Sequence, residues 1–378
     1  MKKVCAFFLA VLVMGMSTAY ALPAMPEISA PCAVLADLNG NILLEKNANE
    51  KRPPASVTKI MTMLLIMEAI DAGDLKMDDI LTVSDHAASM GGTQVYLEAG
   101  EKMAARDLLK SIAVSSANDA CVVFAEHLSG SEESFVSMMN KRAKELGMND
   151  TTFINCNGLH EDGHVTSAHD IAMMSAELMK HEEIKQFTMI WMDTIRNGEF
   201  TLANTNKMIK LYPGATGLKT GFTSQSKYCI SATAERDGVA LIAVIMGADT
   251  IPKRTADASA LLNYGFANYA KVDLLPQDQK LKNIPVVLGD KPSVEIELQS
   301  TSDMLIDKTI VKTLEREVAL EEELKAPVEK GQKVGTLILK SGDKVISKAD
   351  IVTCESVARK SFFKVFWECL RALLMKPA

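Results

Sequence analysis

The chain has 378 residues, of which 48% are hydrophobic and 24% are charged, and this composition excludes a chain that is disordered over most of its length. At roughly 100 to 200 residues per domain, the length predicts two folded domains. The formal net charge of −7 argues against nucleic acid as a partner, because binding to phosphates requires a basic surface.

The N-terminal segment has the organisation of an export signal. Lys2 and Lys3 precede an apolar run from Val4 to Met16, and Ala19-Tyr20-Ala21 follows as a small-residue cleavage site. We therefore expect residues 1–21 to be a removed signal peptide. The alternative is an uncleaved membrane anchor, for which the apolar run is short.

The folded chain is predicted to begin with a β-hairpin. Residues 33–44 read as two strands around the turn Asn39-Gly40. Pro53-Pro54 then ends the extended structure, and Ser56 precedes apolar positions with helical spacing: Ile60, Met63, Leu64 and Met67. Ser56 is thus expected at a helix N-terminus, where unpaired backbone N–H groups could stabilise negative charge on a carbonyl oxygen.

The middle of the chain alternates between helical and strand patterns. Helices are predicted over residues 104–112, 118–128, 132–146 and 167–179. Two strands follow over 228–234 and 239–246, with Glu235-Arg236-Asp237-Gly238 as the turn between them. Helices that lie between an early hairpin and late antiparallel strands predict an α+β domain, with one antiparallel sheet and a helical layer.

After Tyr269 the pattern changes to short β-rich runs separated by turns. These runs cover residues 294–298, 305–311 and 334–339, and they predict a small all-β domain. The expected organisation is a signal peptide over residues 1–21, a first domain over 22–269, a β-rich domain over 270–353 and a C-terminal helix over 354–378.

The C-terminal segment is predicted to form an amphipathic helix. Over residues 359–376, one broad face collects Phe362, Phe363, Val365, Phe366, Cys369, Leu370, Leu373 and Leu374. The opposite side is largely basic, and the segment is too short to span a bilayer. This pattern indicates a helix that lies in a membrane surface, and packing on the preceding domain is the alternative.

The candidate chemistry lies in three short motifs. S-x-x-K occurs four times, at Ser56/Lys59, Ser224/Lys227, Ser341/Lys344 and Ser361/Lys364. The first pair is distinguished by its place at the start of an apolar helix that faces a core, with the lysine one turn after the serine, where a desolvated lysine could act as base toward the serine hydroxyl. Ser116-Ala117-Asn118 is the single S-x-N, and Lys219-Thr220-Gly221 is the single K-T-G.

S-x-x-K, S-x-N and K-T-G in this order resemble the motif set of penicillin-binding proteins and serine β-lactamases. The flanking sequences Pro53–Thr62, Asn157-Gly158-Leu159, Asn204-Thr205-Asn206, Gly217–Thr223 and Leu261–Phe266 narrow the resemblance to low-molecular-mass D-alanyl-D-alanine carboxypeptidases. The resemblance covers essentially the whole chain, since family members also carry a C-terminal β-domain and a membrane-anchoring helix. It implies a peptidoglycan stem peptide as substrate and β-lactams as covalent inhibitors.

The resemblance assigns five catalytic residues. Ser56 would attack the carbonyl between the two terminal D-alanines, and Lys59 would take its proton. Ser116 would relay a proton to the departing D-alanine, Asn118 would hold a substrate amide, and Lys219 would place positive charge near both serines.

It also assigns substrate-binding residues. The backbone N–H groups of Ser56 and Phe222 would form the oxyanion hole, beside Gly221. Thr220, helped by Arg254, would bind the terminal carboxylate, for which a guanidinium is well suited. The assignment of Arg254 rests on its distance after K-T-G and on its charge. The alternative is that Arg254 is a surface arginine.

Three other functions remain open. A class A β-lactamase would need a glutamate about three dozen residues past S-x-N, and residues 150–155 contain none. A D,D-endopeptidase that cuts peptidoglycan cross-links would keep the fold, but the β-domain and anchor favour a carboxypeptidase. A penicillin-binding protein without turnover is not favoured, because all motif residues are present.

Two further patterns are interpreted as structural. His160-Glu161-Asp162-Gly163-His164 matches the zinc motif H-E-x-x-H, but that motif requires a helix, and Asn157-Gly158 and Asp162-Gly163 predict a loop. No metal or other cofactor is therefore expected. The cysteines after the signal peptide contain no C-x-x-C pair and are expected to be separate buried thiols, including Cys121 near the site, although export leaves a disulfide possible.

Overall fold

The computed structural model describes residues 23–275, 281–299 and 303–374. The predicted signal peptide, residues 1–21, lies outside the described residues. The N-terminal domain contains these elements in chain order: β1 (Cys32–Asp37), β2 (Ile42–Lys46), α1 (Lys59–Ala72), β3 (Ile80–Thr82), α2 (Asp85–Ala88), β4 (Lys102–Ala104), α3 (Ala105–Lys110), α4 (Asn118–Ser129), α5 (Glu132–Glu145), α6 (Ala168–Met179), α7 (Lys185–Thr188), β5 (Met192–Ile195), β6 (Phe200–Ala203), α8 (Met208–Leu211), β7 (Ala215–Thr223), β8 (Lys227–Arg236), β9 (Val239–Ala248) and α9 (Ile251–Asn268).

A five-stranded antiparallel sheet forms the centre of this domain, with strand order β2-β1-β9-β8-β7. The hairpin of β1 and β2 turns at Asn39-Gly40 as predicted, and Gly40 has a φ of 84°, which glycine adopts without steric cost. The chain returns to the sheet through β7 only after most of the helices have been completed. The K-T-G motif therefore lies on an edge strand of the same sheet as the N-terminal hairpin.

Both faces of the sheet are covered by helices. Val34 and Ala36 of β1 belong to the core shared with α1, α4 and α6, whereas Ala33 and Leu35 belong to the core shared with α9. Because side chains alternate along a strand, this arrangement requires β1 to be apolar at every one of these positions. The α+β prediction is confirmed, and α9 adds a second helical layer that the sequence did not predict.

The C-terminal domain is all-β, as predicted. Its three sheets have the strand orders β10-β14, β12-β11-β16 and β13-β18-β17-β15, and their apolar side chains share one core. The strands are β10 (Tyr269–Asp273), β11 (Ile284–Val287), β12 (Ser293–Val294), β13 (Ile296–Leu298), β14 (Asp303–Asp307), β15 (Leu314–Leu320), β16 (Leu324–Lys325), β17 (Lys333–Ser341) and β18 (Lys344–Thr353).

The C-terminal helix α10 spans Phe362–Leu374, so it begins later than residue 354 or 359. The preceding residues pair with the β-domain instead: Val357 exchanges two backbone hydrogen bonds with Val328, and Lys360 N donates to Leu288 O. These bonds hold the segment extended and delay the helix. Phe362, Phe363, Phe366 and Trp367 are exposed. No helix in the described ranges has the length and apolar content needed to cross a bilayer.

Candidate active site

Ser56 lies in a tight turn between the sheet and α1. Residues Ala55–Thr58 form one 3-10 turn, and α1 begins at Lys59. Ala55, immediately before Ser56, has a φ of 50°, a left-handed conformation that is uncommon for a residue with a side chain. The turn directs Ser56 into a cavity while Lys59, three residues later, lies beneath it.

Lys59 is fully buried and is surrounded by oxygen atoms. Its Nζ lies 3.0 Å from Ser56 Oγ and 2.7 Å from Asn118 Oδ1, and it also donates to Asn157 O. The amide oxygen and the backbone carbonyl can only accept, so they take two N–H bonds of the amine. The remaining tetrahedral position of the nitrogen points at the Ser56 hydroxyl. In the neutral amine this position holds the lone pair, which can accept the hydroxyl proton.

Burial favours the neutral amine. It lowers the pKa of Lys59, an effect only partly opposed by Cys121, Cys156 and Asp119. A neutral amine in contact with a serine hydroxyl is the arrangement that general-base activation of a nucleophile requires. The structure therefore brings Ser56 and Lys59 together as the motif predicts.

The S-x-N motif lines the same cavity as the turn Ala55–Thr58, which is called the nucleophile turn after its candidate nucleophile, Ser56. Ser116 follows a π-helical turn over Ser111–Ser115 and has a φ of 66°. It is 4% exposed and lines the same cavity as Ser56. This left-handed residue separates the π-helical turn from α4 and directs the hydroxyl toward the cavity.

Asn118 uses both ends of its side-chain amide inside the protein. Oδ1 accepts from Lys59, and Nδ2 donates to Gly91 O over 2.7 Å. Its backbone N–H donates to Thr93 O over 2.7 Å. Binding a substrate amide through Nδ2 would require the bond to Gly91 to be shared or broken, so the predicted amide-binding role of Asn118 stays a prediction.

Lys219 of the K-T-G motif is buried in strand β7. Its Nζ donates to Thr220 O over 3.0 Å, the hydrogen bond found for this amine within the described residues. Burial, with additional repulsion from Lys59 and Arg254, lowers the pKa of Lys219 well below its usual range. No hydrogen bond joins Lys219 to either serine in the described structure, and the lowered pKa opposes a positive charge on its amine. The predicted charge of Lys219 near both serines therefore stays a prediction.

Strand β7 packs directly against the nucleophile turn. A Cβ atom on Gly221 would lie 2.9 Å from Pro54 O and 3.0 Å from Ser56 N, so only glycine allows this approach. Phe222 follows, is 54% exposed and stacks on Tyr228 at a centroid distance of 4.4 Å. The backbone N–H groups of Ser56 and Phe222 consequently lie on neighbouring segments at one side of the cavity.

The cavity that contains these groups has a volume of about 340 Å³. Its described walls carry two cations and no carboxylate. The lining residues are Ser56, Thr93, Ser116, Thr205, Lys207, Thr220, Gly221, Phe222, Tyr228, Ile251 and Arg254. Such a lining favours an anionic ligand.

Arg254 is a buried wall of the cavity and not a surface residue. It lies in the first turn of α9 and is 4% exposed. Its Nε is buried without a hydrogen-bond partner, and no carboxylate of the described ranges is among the groups that influence its charge. Burial lowers the pKa of Arg254. A buried cation without a counter-ion, beside Thr220, is suited to a carboxylate.

Several residues around the site were not predicted from their chemistry. Thr93 and Ile251 come from segments without a motif, and Lys207 and Tyr228 could not be placed without the fold. Thr205 carried a signal, since it lies in Asn204-Thr205-Asn206, and its hydroxyl accepts a hydrogen bond from Thr220 over 2.8 Å.

The H-E-x-x-H sequence forms a loop, as predicted. His160 is exposed and His164 is buried, so the two rings do not share a ligand position. Thr58 and Ile154 occupy the two ring nitrogens of His164. No cluster of three or more potential metal ligands occurs among residues 23–275, 281–299 and 303–374.

Four cysteines are buried free thiols: Cys32, Cys121, Cys156 and Cys229. Cys354 is partly exposed and Cys369 is exposed, so the expectation of buried thiols was wrong for these two. Burial raises the pKa of Cys121 to about 12, which keeps it a thiol and agrees with a packing role.

Comparison with protein families gives two matches, one in the N-terminal part of the chain and one in the C-terminal part. The family described as D-alanyl-D-alanine carboxypeptidase matches residues 19–250. The family described as penicillin-binding protein 5, C-terminal domain, matches residues 269–359.

Individual relatives agree with these matches. The chain is 43% identical to the D-alanyl-D-alanine carboxypeptidase DacF of Bacillus subtilis over 338 residues, covering 88% of this chain and 87% of the relative. Penicillin-binding protein 5 of Haemophilus influenzae superposes with a TM-score of 0.79 at 29% identity, over 89% of this chain and 100% of that structure. Penicillin-binding protein D2 of Listeria monocytogenes, solved in its ampicillin-bound form, superposes with a TM-score of 0.58 at 34% identity, over 63% of this chain and 98% of that structure.

Proposed function

The chain belongs to the D-alanyl-D-alanine carboxypeptidase family, and from this premise we propose how its residues release the terminal D-alanine of a peptidoglycan stem pentapeptide. The observation that carries the proposal is the contact of 3.0 Å between Lys59 Nζ and Ser56 Oγ at the floor of a cationic cavity.

Acylation begins at Ser56. Its Oγ bonds to the carbonyl carbon of the penultimate D-alanine while its proton passes to the neutral amine of Lys59. The N–H groups of Ser56 and Phe222 hold the oxygen that becomes negative, because both belong to segments that the close contact at Gly221 brings together.

The leaving group then departs through the opposite side of the cavity. The C–N peptide bond breaks, and Ser116 relays the proton that Lys59 took from Ser56 to the nitrogen of the released D-alanine, which leaves Lys59 neutral and Ser116 protonated. When protonated, Lys219 favours this transfer through its positive charge, since no carboxylate lines the described cavity to offset it. Burial opposes that charge by lowering the pKa of Lys219, and the carboxylate of a bound substrate would favour it. Water hydrolyses the resulting ester and restores Ser56.

Recognition of the substrate rests on its terminal carboxylate. Arg254 provides a guanidinium whose Nε has no partner. The Thr220 hydroxyl also lines the cavity and would donate to the carboxylate in place of its present acceptor, Thr205. The other cation of the lining, Lys207, is exposed, so solvent screens its charge more strongly. The same carboxylate requirement is met by β-lactams, which would acylate Ser56 covalently.

Rapid β-lactam hydrolysis is not expected. A class A β-lactamase requires a glutamate to activate water, and no acidic side chain lines the described part of the cavity. A long-lived penicilloyl adduct should form instead. Fast nitrocefin turnover without a stable adduct in the mass spectrum would contradict this proposal.

We also propose that the enzyme acts outside the cytoplasmic membrane, at its outer surface. The support is the N-terminal sequence, which has the features of a signal peptide, and helix α10, whose exposed Phe362, Phe363, Phe366 and Trp367 suit a membrane interface. Removal of D-alanine there would contribute to cell-wall biogenesis and cell shape.

The decisive experiment replaces the nucleophile. Ser56→Ala should abolish D-alanine release from diacetyl-Lys-D-Ala-D-Ala and covalent labelling by penicillin, measured by free D-alanine and by intact mass. Ser341→Ala is the matched control, because Ser341 also belongs to an S-x-x-K sequence but lies in the β-domain. Retained D-alanine release in Ser56→Ala would refute the assigned nucleophile.

A further inference from the structure

The loop that contains the H-E-x-x-H sequence packs beneath the nucleophile turn and the first turn of α1. Thr62 Oγ1 donates to Cys156 O, and Lys59 Nζ donates to Asn157 O. At Gly158 the two segments are so close that a Cβ atom would lie 2.0 Å from Ala55 O. This loop is therefore in direct contact with the backbone of the nucleophile turn.

His164 also belongs to this contact, and its hydrogen bonds define its tautomer. Ile154 N donates to His164 Nδ1 over 3.1 Å, so Nδ1 carries no proton. Thr58 Oγ1 donates its single proton to Ala55 O over 2.8 Å, so His164 Nε2, 2.8 Å from the same oxygen, must be the donor. A directional chain of hydrogen bonds thus runs from Ile154 through His164 and Thr58 to Ala55.

We propose that neutral His164 is a positioning residue for acylation, which holds the Ala55 carbonyl through the Thr58 hydroxyl and thereby fixes the turn that presents Ser56 to Lys59. The inference rests on Ser56 being the nucleophile. It gives a role to the second histidine of a motif that resembles a zinc site but forms a loop.

The turn needs such a support because its backbone is strained. Ala55 has a φ of 50°, and a left-handed conformation at a residue with a side chain persists only where surrounding contacts enforce it. The carbonyl that Thr58 holds belongs to this same residue. If Ala55 relaxed, Ser56 would move relative to Lys59, and a small displacement of a nucleophile strongly reduces its reaction rate.

The environment of His164 preserves the neutral form that this chain of bonds needs. Burial lowers the pKa of His164 from 6.5 to about 4, and electrostatic interaction with His160 and Lys59 acts in the same direction. Phe153 packs against the ring with a centroid distance of 5.9 Å. An imidazolium would point a proton from Nδ1 at the Ile154 N–H, which has no acceptor to offer.

The test compares two substitutions of similar size but different hydrogen-bonding capacity. In His164→Gln the side-chain amide can still donate to Thr58 and accept from Ile154, whereas in His164→Leu it can do neither. The second-order rate of acylation by penicillin should fall about tenfold or more in His164→Leu, as expected for a lost buried hydrogen bond. His164→Gln should recover most of that loss.

The matched control is His160→Ala, which removes the exposed histidine of the same loop and should acylate at the wild-type rate. Thr58→Val tests the pathway, since it removes the hydroxyl between His164 and Ala55. If the residues act in one chain, Thr58→Val/His164→Leu should be no slower than the slower single variant. If the losses of acylation rate in the two single variants multiplied in the double variant, the proposed chain of hydrogen bonds would be refuted.

A spectroscopic measurement tests the tautomer independently of the variants' folding. In ¹⁵N-labelled wild-type protein, the ring nitrogens of His164 should report a proton on Nε2 and none on Nδ1, without titration above about pH 5. Titration near pH 6.5, or a proton on Nδ1, would overturn the inference. Equal acylation by His164→Leu and the wild type would do the same.

These outcomes are separate from failure of the proposed function. If the wild type is not labelled by penicillin at Ser56, the assigned nucleophile is wrong. If the wild type is labelled and folded His164→Leu is labelled equally fast, the nucleophile stands and only the role of His164 falls.

Discussion

Replacing Arg254 with methionine tests how the cavity recognises its substrate. Arg254 is 4% exposed, and the Nε of its guanidinium has no partner among the described residues. A buried charge in this state is costly to the free enzyme, so its removal should not lower the melting temperature. The same charge is expected to be satisfied when a substrate carboxylate enters the cavity.

The size of the effect follows from that contact. A hydrogen bond to a charged group contributes about 1.5 to 3 kcal/mol, and each 1.4 kcal/mol corresponds to about a factor of ten. The value of kcat/KM for diacetyl-Lys-D-Ala-D-Ala should therefore fall by roughly 10-fold to 100-fold in Arg254→Met.

The assay compares this peptide with its C-terminal amide, which lacks the carboxylate. Wild type should discriminate strongly between the two peptides, and Arg254→Met should lose most of that discrimination. Lys207→Met is the matched control, because Lys207 also lines the cavity but is exposed; it should change discrimination only a few-fold. If Arg254→Met slowed both peptides equally, Arg254 would not be the carboxylate-binding residue.

Three further predictions concern the base, acid stability and the membrane. Lys59→Met and Lys59→Arg should each slow penicillin acylation, measured by intact mass, by about 10² to 10⁴, because a guanidinium stays protonated and cannot replace the neutral amine; wild-type labelling of either would contradict the assignment. His164 binds its proton near pH 6.5 in the unfolded chain but only near pH 4 in the folded protein, so its contribution to stability is complete above pH 6.5 and is lost as the pH falls toward 4. Between pH 7 and pH 4.5 wild type should lose about 2 kcal/mol more than His164→Gln, as measured by urea unfolding, and parallel losses would contradict the buried neutral state. Phe366→Glu should weaken sedimentation with anionic vesicles about tenfold or more, whereas Tyr96→Ala, which removes an exposed aromatic side chain of the N-terminal domain, should not; equal binding by both variants would argue against α10 as the anchor.

Much of the fold can be predicted from local sequence patterns. The hairpin at Asn39-Gly40 and helices α4, α5 and α6 were predicted close to their observed bounds, because turn residues and a helical apolar period act over a few positions. Strand β7 was not predicted, although it carries the K-T-G motif. Its sequence contains Gly217 and Gly221, which weaken a strand pattern. Gly221 is required by the backbone of Pro54 and Ser56, a contact that the sequence does not reveal.

The candidate nucleophile was selected from four S-x-x-K serines by sequence alone. The order of the three motifs distinguished Ser56, and the apolar helix after it predicted a desolvated lysine. The first inference depends on the order of motifs, which a single sequence contains. The second depends on residues that are near each other in the chain.

Tertiary structure decided what surrounds that serine. The amide of Asn118 is divided between Lys59 and Gly91, Arg254 is buried without a counter-ion, and His164 holds Thr58. Each of these contacts joins segments that are far apart in the chain, so no local pattern encodes them. The sequence by itself determined which groups could react, and only packing of the loops against the nucleophile turn decided their protonation states and partners.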